Sequence, residues 1–229
     1  MSCNNFIRCL LAAMLCLGIL AEAQVKMKPD PKVTRSTPLP TIVVKLGDDI
    51  EAAKKKSSFD FSRTYMMREG AIIEAPYTLI YDHPERGFVI ENAKYLGFSR
   101  REGKELKTLS LAPHQGTLTV TETWQLFLQL VGKVEKAGWS RDTRYSERDQ
   151  WINRSFDEFQ KIFSAKRREI GSRGAIGLWR EGPHVMRVSV VKVYEAGDSY
   201  SKAMGADEAR FNVILDIEDL SGLRIPGFP

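Results

Sequence analysis

Beyond residue 16 this 229-residue chain contains no cysteine; Cys3, Cys9 and Cys16 are all it has. The absence removes disulfides, thiolate nucleophiles and cysteine–zinc sites from everything downstream. Histidine is nearly as scarce, with only His83, His114 and His184, and their spacing fits no metal-ligand or general-base pattern. Long apolar runs are missing apart from Cys9–Leu20, which falls short of the roughly 20 residues that cross a bilayer.

That one run follows Arg8 and precedes Ala21-Glu22-Ala23. Small residues stand at the two positions a signal peptidase reads, so residues 1–23 read as a secretory signal peptide cut between Ala23 and Gln24. Cys16 lies within the apolar run, after Met14-Leu15, and not beyond it. That placement argues against a lipidated cysteine. The expected location is periplasmic or secreted, and a cysteine-free mature chain of this length can bury a core without staples. In a eukaryotic secretory pathway Asn153-Arg154-Ser155 would be a glycosylation sequon.

Net charge is +5, with a pI near 9.1. Cleavage leaves the charge unchanged, because Arg8 and Glu22 depart together. Charges of both signs make up 28% of the residues, so the balance reads first as solubility. Nucleic acid is not an expected partner, and contact with an anionic membrane surface would be weak.

Residues 24–40 carry Pro29, Pro31, Pro38 and Pro40 among Lys26, Lys28, Lys32 and Arg35. Such a segment cannot bury enough apolar surface to order itself and reads as a disordered linker. The remainder, 41–229, reads as a single α+β domain, with a split into two sub-lobes near 140–170 left open. Strands are expected at 41–46, 71–74, 77–81, 87–91, 94–100 and 105–111, punctuated by Pro76, Pro84, Gly87, Asn92 and Gly103. A short helix capped by Asp48 runs through Lys56.

The clearest helix opens with the capping-box pattern Thr119-Val120-Thr121-Glu122. Val120, Trp124, Phe127, Leu128, Val131 and Val134 form its apolar stripe, and Gly138 with Trp139 closes it. A second helix is expected from Ser146 to Arg168, with Ile152, Phe156, Phe159 and Phe163 inward. Strands return at 175–181 and 184–194 around Gly182-Pro183, and again at 211–217. The expected fold class is therefore α+β: antiparallel sheet from a strand meander, two central amphipathic helices, then C-terminal strands.

Catalytic patterns are thin. Gly197-Asp198-Ser199 resembles the opening of the GDS-type lipases and esterases, but it comes late and no histidine follows it. Ser199-Tyr200-Ser201-Lys202 fits S-x-x-K without its companion motifs, and the elbow G-x-S-x-G does not occur. Gly171-Ser172-Arg173-Gly174 runs from helix to strand, the wrong polarity for a phosphate loop. Carboxylates cluster at Asp48-Asp49-Glu51, at Asp207-Glu208, and at Asp216, Glu218 and Asp219. The first suits a helix N-terminus, and the last lacks a calcium-loop pattern.

These patterns single out no catalytic residue, metal ligand or cofactor. The aromatic and acidic loop 194–208 offers the best presented surface, through Tyr194, Glu195, Asp198, Tyr200, Asp207 and Glu208. The Pro-rich apolar tail Leu223–Pro229 comes next. The function expected is an exported, non-catalytic binding protein whose partner is another protein. Its most concrete form is an immunity-type inhibitor that occludes a toxic effector enzyme. The alternatives are an envelope hydrolase using carboxylates on peptidoglycan or lipid, and a structural envelope component. The sequence leaves the oligomeric state open. Expressed with its leader in a Gram-negative host, the protein should be recovered from the periplasm beginning at Gln24, as N-terminal sequencing would show; retention of Met1 in the exported fraction would contradict the cleavage.

Overall fold

The computed structural model describes residues 38–67, 70–100, 104–142, 151–164, 173–193 and 210–221. Strands dominate, and nine of them form one mixed sheet. Strand β1, Thr41–Val44, is a β-branched run with alternating burial. Helix α1, Ile50–Lys56, starts at Asp49, whose carboxylate accepts the Glu51 N–H, and ends on three lysines that suit a helix C-terminus. The cap is therefore Asp49, one residue beyond the Asp48 expected from sequence. A 3-10 turn at Phe61–Arg63 leads into the short β2, Tyr65–Met67.

Next come β3, Gly70–Tyr81, and β4, Phe88–Arg100, a long antiparallel hairpin. The sequence breaks each of these into two pieces, whereas the chain bends and continues. Pro76 has no N–H to give the ladder, and the register shifts twice between Glu74 and Leu79. On the facing strand Asn92 takes a left-handed conformation, φ 57°, which this residue type tolerates better than most. Then follow β5, Leu106–Ala112, and helix α2, Val120–Lys136.

Both halves of the capping box are formed at Thr119 and Glu122. Gly138, at φ 84°, closes the helix: its N–H reaches Glu135 O and the Trp139 N–H reaches Val134 O. That is the paired-bond C-terminal motif. The buried stripe is Val120, Thr123, Phe127, Leu130, Val131 and Val134. Leu128, expected inside, is 44% exposed, because one step from Phe127 turns it about 100° off the stripe.

The two-residue β6, Ser140–Arg141, precedes a 3-10 turn at Trp151–Asn153 and helix α3, Phe156–Ser164. Both ends of the expected 146–168 helix extend past the described residues. The chain closes with β7, Arg173–Glu181, β8, His184–Val193, and β9, Arg210–Asp219. Gly182, at φ 55°, turns the β7–β8 hairpin.

Sheet order is β1-β3-β4-β5-β9-β8-β7-β6, with β2 on the edge of β3. The meander β3-β4-β5 is thus mirrored by β7-β8-β9, and the last strand of each half meets the other at the centre. The expected antiparallel sheet needs correction: β1 lies parallel to β3, Thr41 opposite Thr78 through Val44 opposite Tyr81. Helix α1 carries the chain away before it returns, which frees the connection from a tight antiparallel turn. Beyond β1 the Gly47 N–H bonds Leu106 O at 2.9 Å, and the Leu106 N–H bonds Asp48 O at 2.8 Å. Strands β1, β3, β4 and β5 therefore close a ring of hydrogen-bonded neighbours.

One face of β9 places Phe211, Val213, Leu215 and Ile217 in the core, each fully buried and worth roughly 1.5–3 kcal/mol relative to exposure. Helices α2 and α3 cover this side. Phe163 meets Phe211 edge-on at 6.1 Å, and Trp124 lies 5.1 Å from Phe159. Trp139, Trp151 and Trp179 are buried, while Trp124 is half-buried against the core. Trp179 lies across Gly177, where a Cβ would come within 2.4 Å of the indole and 3.2 Å of the Phe127 ring. Gly177→Ala should thus lower unfolding free energy by about 1–3 kcal/mol through overpacking, measured by urea denaturation; an unchanged midpoint would show that the indole can move aside.

Candidate functional site

The opposite face of the sheet carries Asn212, Ile214, Asp216 and Glu218 from β9, alternating with the core residues. Its centre is polar and internally paired. Ser110 Oγ donates to Asp216 at 2.7 Å, and Arg187 reaches Asp216 and Glu218 at 3.5 and 3.2 Å. On the core side of the same strands, at their end, Lys107 bonds the buried Asp219 at 2.7 Å.

The other end of this face opens into a cavity of about 460 Å³, lined by Glu74, Lys94, Tyr95, His114, Thr117 and Asn212, with Ala112 and Ile214 as its apolar floor. Three elements build it. The bend of the β3–β4 hairpin supplies Glu74, Lys94 and Tyr95; strand bulges of this kind commonly re-aim side chains at functional sites. The turn after β5 supplies His114 and Thr117, and the start of β9 supplies Asn212 and Ile214.

Two side chains hold these walls in place. Gln115 Nε2 donates to the carbonyls of Asn92 and Ala93, both at 2.9 Å, and so occupies acceptors that the bulge leaves free. His114 is buried, and its Nε2 accepts the Val213 N–H at 3.0 Å. Burial lowers the His114 pKa, while backbone groups of Gly116, Gln115 and Val213 oppose the shift. An Nε2 that accepts a proton donor belongs to a neutral imidazole. His114 thus ties turn to strand. Beyond it lies a second cavity of about 400 Å³, between Ile90, Asn92 and Pro113 of the hairpin side and Leu126, Leu130 and Lys133 of α2.

Tyr95 has a particular posture. A Cβ on Gly97 would fall 2.8 Å from its hydroxyl oxygen and 3.3 Å from Cζ. The hydroxyl end of the ring therefore leans over Gly97, and Tyr95 borders the cavity. The side chains of Glu74, Lys94, Thr117 and Asn212 form no hydrogen bond or ion pair among the described residues, in contrast to Ser110, Arg187, Asp216 and Glu218 farther down the same face.

The fold also brings together two histidines that sequence spacing kept apart. His83, in the β3–β4 turn, and His184, at the start of β8, face edge-on with ring centroids 6.3 Å apart. His83 also stacks on Tyr81, at 6.2 Å, and burial pushes the Tyr81 hydroxyl up to about 12. His83 Nδ1 accepts the N–H groups of Glu85 and Arg86, at 3.3 and 3.1 Å. Its proton therefore sits on Nε2, which in that tautomer donates and cannot ligate. Next to the pair, Arg86 bridges to Glu181 at 3.1 Å, joining the two hairpin ends. No group of three metal-ligating side chains occurs among the described residues.

The carboxylates singled out from sequence are engaged where they are described. Asp49 caps α1, and Lys56 bonds Asp82 at 3.1 Å beside Asp48. Burial would raise the Asp219 carboxyl, but Lys107 and Ser221 outweigh it and hold the pKa at about 2. A general acid needs the reverse shift. Tyr194, Glu195, Asp198, Tyr200, Asp207 and Glu208 lie outside the described residues, as do Ala23 and Gln24. Sequence reasoning missed the cavity residues, although Pro76 inside a strand pattern, Asn92 in the facing strand and the Tyr95-x-Gly97 spacing all mark the place. No family model, curated protein or solved structure matches the chain.

His83 gives the site a pH dependence. Burial lowers its pKa, His184, Lys45 and Arg86 add to the shift, and Glu85 opposes it. The unfolded chain then binds the proton more readily, so stability is fully present above the ordinary histidine value near 6.5 and falls as pH drops below it. Asn at position 83 keeps an acceptor for the two N–H groups and cannot titrate. His83→Asn should flatten the slope of unfolding free energy below about pH 6.5; a slope equal to wild type in urea melts at several pH values would place the titration elsewhere.

Proposed function

We propose that this chain is an exported, non-catalytic binding protein that works through the cavity at the bend of the β3–β4 hairpin. The observation that carries this reading is the set of unpartnered polar side chains, Glu74, Lys94, Thr117 and Asn212, gathered around the ring of Tyr95. Ser110, Arg187, Asp216 and Glu218 on that face engage one another, so this set is the one left to recognise something else. A volume of about 460 Å³ falls in the range of small-ligand clefts, roughly 300–1,000 Å³. Its walls are fixed before any partner arrives, by Gln115 on the bulge carbonyls and His114 on β9. Preorganisation of this kind reduces the ordering cost of binding.

The narrower version, an inhibitor that occludes a toxic enzyme, draws on the 194–208 segment and is a separate proposal. It predicts a hydrolase that loses activity in the complex. The broader reading is tested by capture on immobilised full-length protein from native envelope extract, run beside a Tyr95→Ala and Asn212→Ala double variant. Wild type should retain a component, protein or glycan, that survives moderate salt and that the variant releases. Equal retention by both, with the variant folded, would rule the cavity out as the binding site.

A further inference from the structure

We propose that the cavity at the hairpin bend takes a saccharide, one sugar ring stacked on Tyr95 and its hydroxyls held by Glu74, Lys94, Thr117 and Asn212. This rests on the reading of the protein as a binding protein acting through that cavity, and it names the class of ligand.

The first argument is the platform. Gly97 lacks the Cβ that would crowd the hydroxyl end of Tyr95, so the side chain leans over Gly97 and the ring borders the cavity. The exposed face of an aromatic ring is electron-rich. A pyranose presents on one side a patch of C–H groups that carry slight positive charge, and it packs flat on such a face. A long flexible apolar ligand would gain nothing special from a ring held in this posture.

The second argument is the polar rim. Glu74 accepts, Lys94 donates, and Thr117 and Asn212 do both. Each is without a hydrogen bond or ion pair among the described residues. A ring bearing several hydroxyls, each both donor and acceptor, can satisfy a mixed set of this kind. A phosphate or other anion matches it poorly, because Lys94 is the one cationic side chain among the lining residues and the carboxylate of Glu74 lines the same cavity. A wholly apolar ligand would cover Asn212 without giving it a partner, which costs binding energy. Apolar contact from Ala112 and Ile214 on the floor complements the C–H side of the sugar.

The test is isothermal titration of purified full-length protein with maltotriose, mannotriose and the trisaccharide of N-acetylglucosamine, with adenosine and a neutral tripeptide alongside. At least one trisaccharide should bind. Tyr95→Ala should weaken that binding roughly tenfold or more, as loss of a central aromatic anchor does. Gly97→Ala should weaken it as well, because the new Cβ displaces the ring. Tyr95→Phe keeps the platform and should bind like wild type, and Asn212→Ala should bind several-fold more weakly with an unchanged melting temperature. Should Tyr95→Ala fold poorly, Tyr95→Phe and Asn212→Ala still decide the matter. No trisaccharide binding at millimolar concentration by folded wild type would overturn the proposal, and so would binding indifferent to both Tyr95→Ala and Asn212→Ala. Binding of adenosine or the tripeptide at Tyr95, without any sugar, would also overturn it. That last result would leave the cavity as a binding site, whereas equal retention in the capture experiment would remove the broader reading itself.

Discussion

Four residue pairs between β5 and β9, from Thr108 opposite Glu218 to Leu111 opposite Leu215, join the two halves of the sheet. Every strand before α2 reaches the later ones through this ladder. Its core-facing side chains, Leu109, Leu111, Leu215 and Ile217, are fully buried, so a slip of one residue would turn them outward and bring Asp216 and Ser110 into the core. On the reverse face the same register sets Ser110 beside Asp216 and Arg187 opposite Asp216. Hydrophobic burial on one side and a charge-assisted network on the other thus select one pairing. The strands joined here are more than a hundred residues apart for every pair, a non-local closure with an entropic cost that only a large shared core can offset.

The cavity follows from the same constraint. Strand β5 must stay beside β9, while β3 and β4 must also close on β1 through Gly47, Asp48 and Leu106. A straight hairpin as long as β3–β4 cannot serve both ends, so it bends at Pro76 and Asn92. Bending separates strand ends that would otherwise lie flush and leaves a hollow beside the start of β9. Gln115 then bonds two carbonyls at the irregularity, and His114 accepts the Val213 N–H of β9. The hollow is a fixed part of the architecture and needs no induced change to exist.

Local elements were legible wherever one segment satisfies itself. The capping box at Thr119 and Glu122, the Gly138 closure and the Gly182 turn depend on neighbouring residues and appear where the chain announces them. The Leu128 reading failed because a stripe of three- and four-residue steps admits more than one face, and only the partner surface decides between Leu128 and Leu130. Breaks predicted at Pro76 and Asn92 became bends, because tertiary pairing carries a strand across a single lost hydrogen bond. Pro76, Asn92 and Tyr95-x-Gly97 mark the place of the bend, but the cavity itself was not legible: Glu74, Tyr95, Thr117 and Asn212 are scattered through the sequence, and each alone looks like an ordinary surface residue.

By itself the sequence determined the chemistry available beyond residue 16, above all the lack of cysteine, and the α-helical and β-strand segments that periodicity and caps encode. It also carried the alternation on β9 that divides core from open face. Only the tertiary structure decided that β1 runs parallel to β3, that His83 meets His184, and that four polar side chains without a partner among the described residues line one cavity with Tyr95. The physical reason is range. Caps, turns and amphipathic periods arise from forces between residues a few positions apart, whereas strand order and side-chain convergence come from burying one common core over the whole chain.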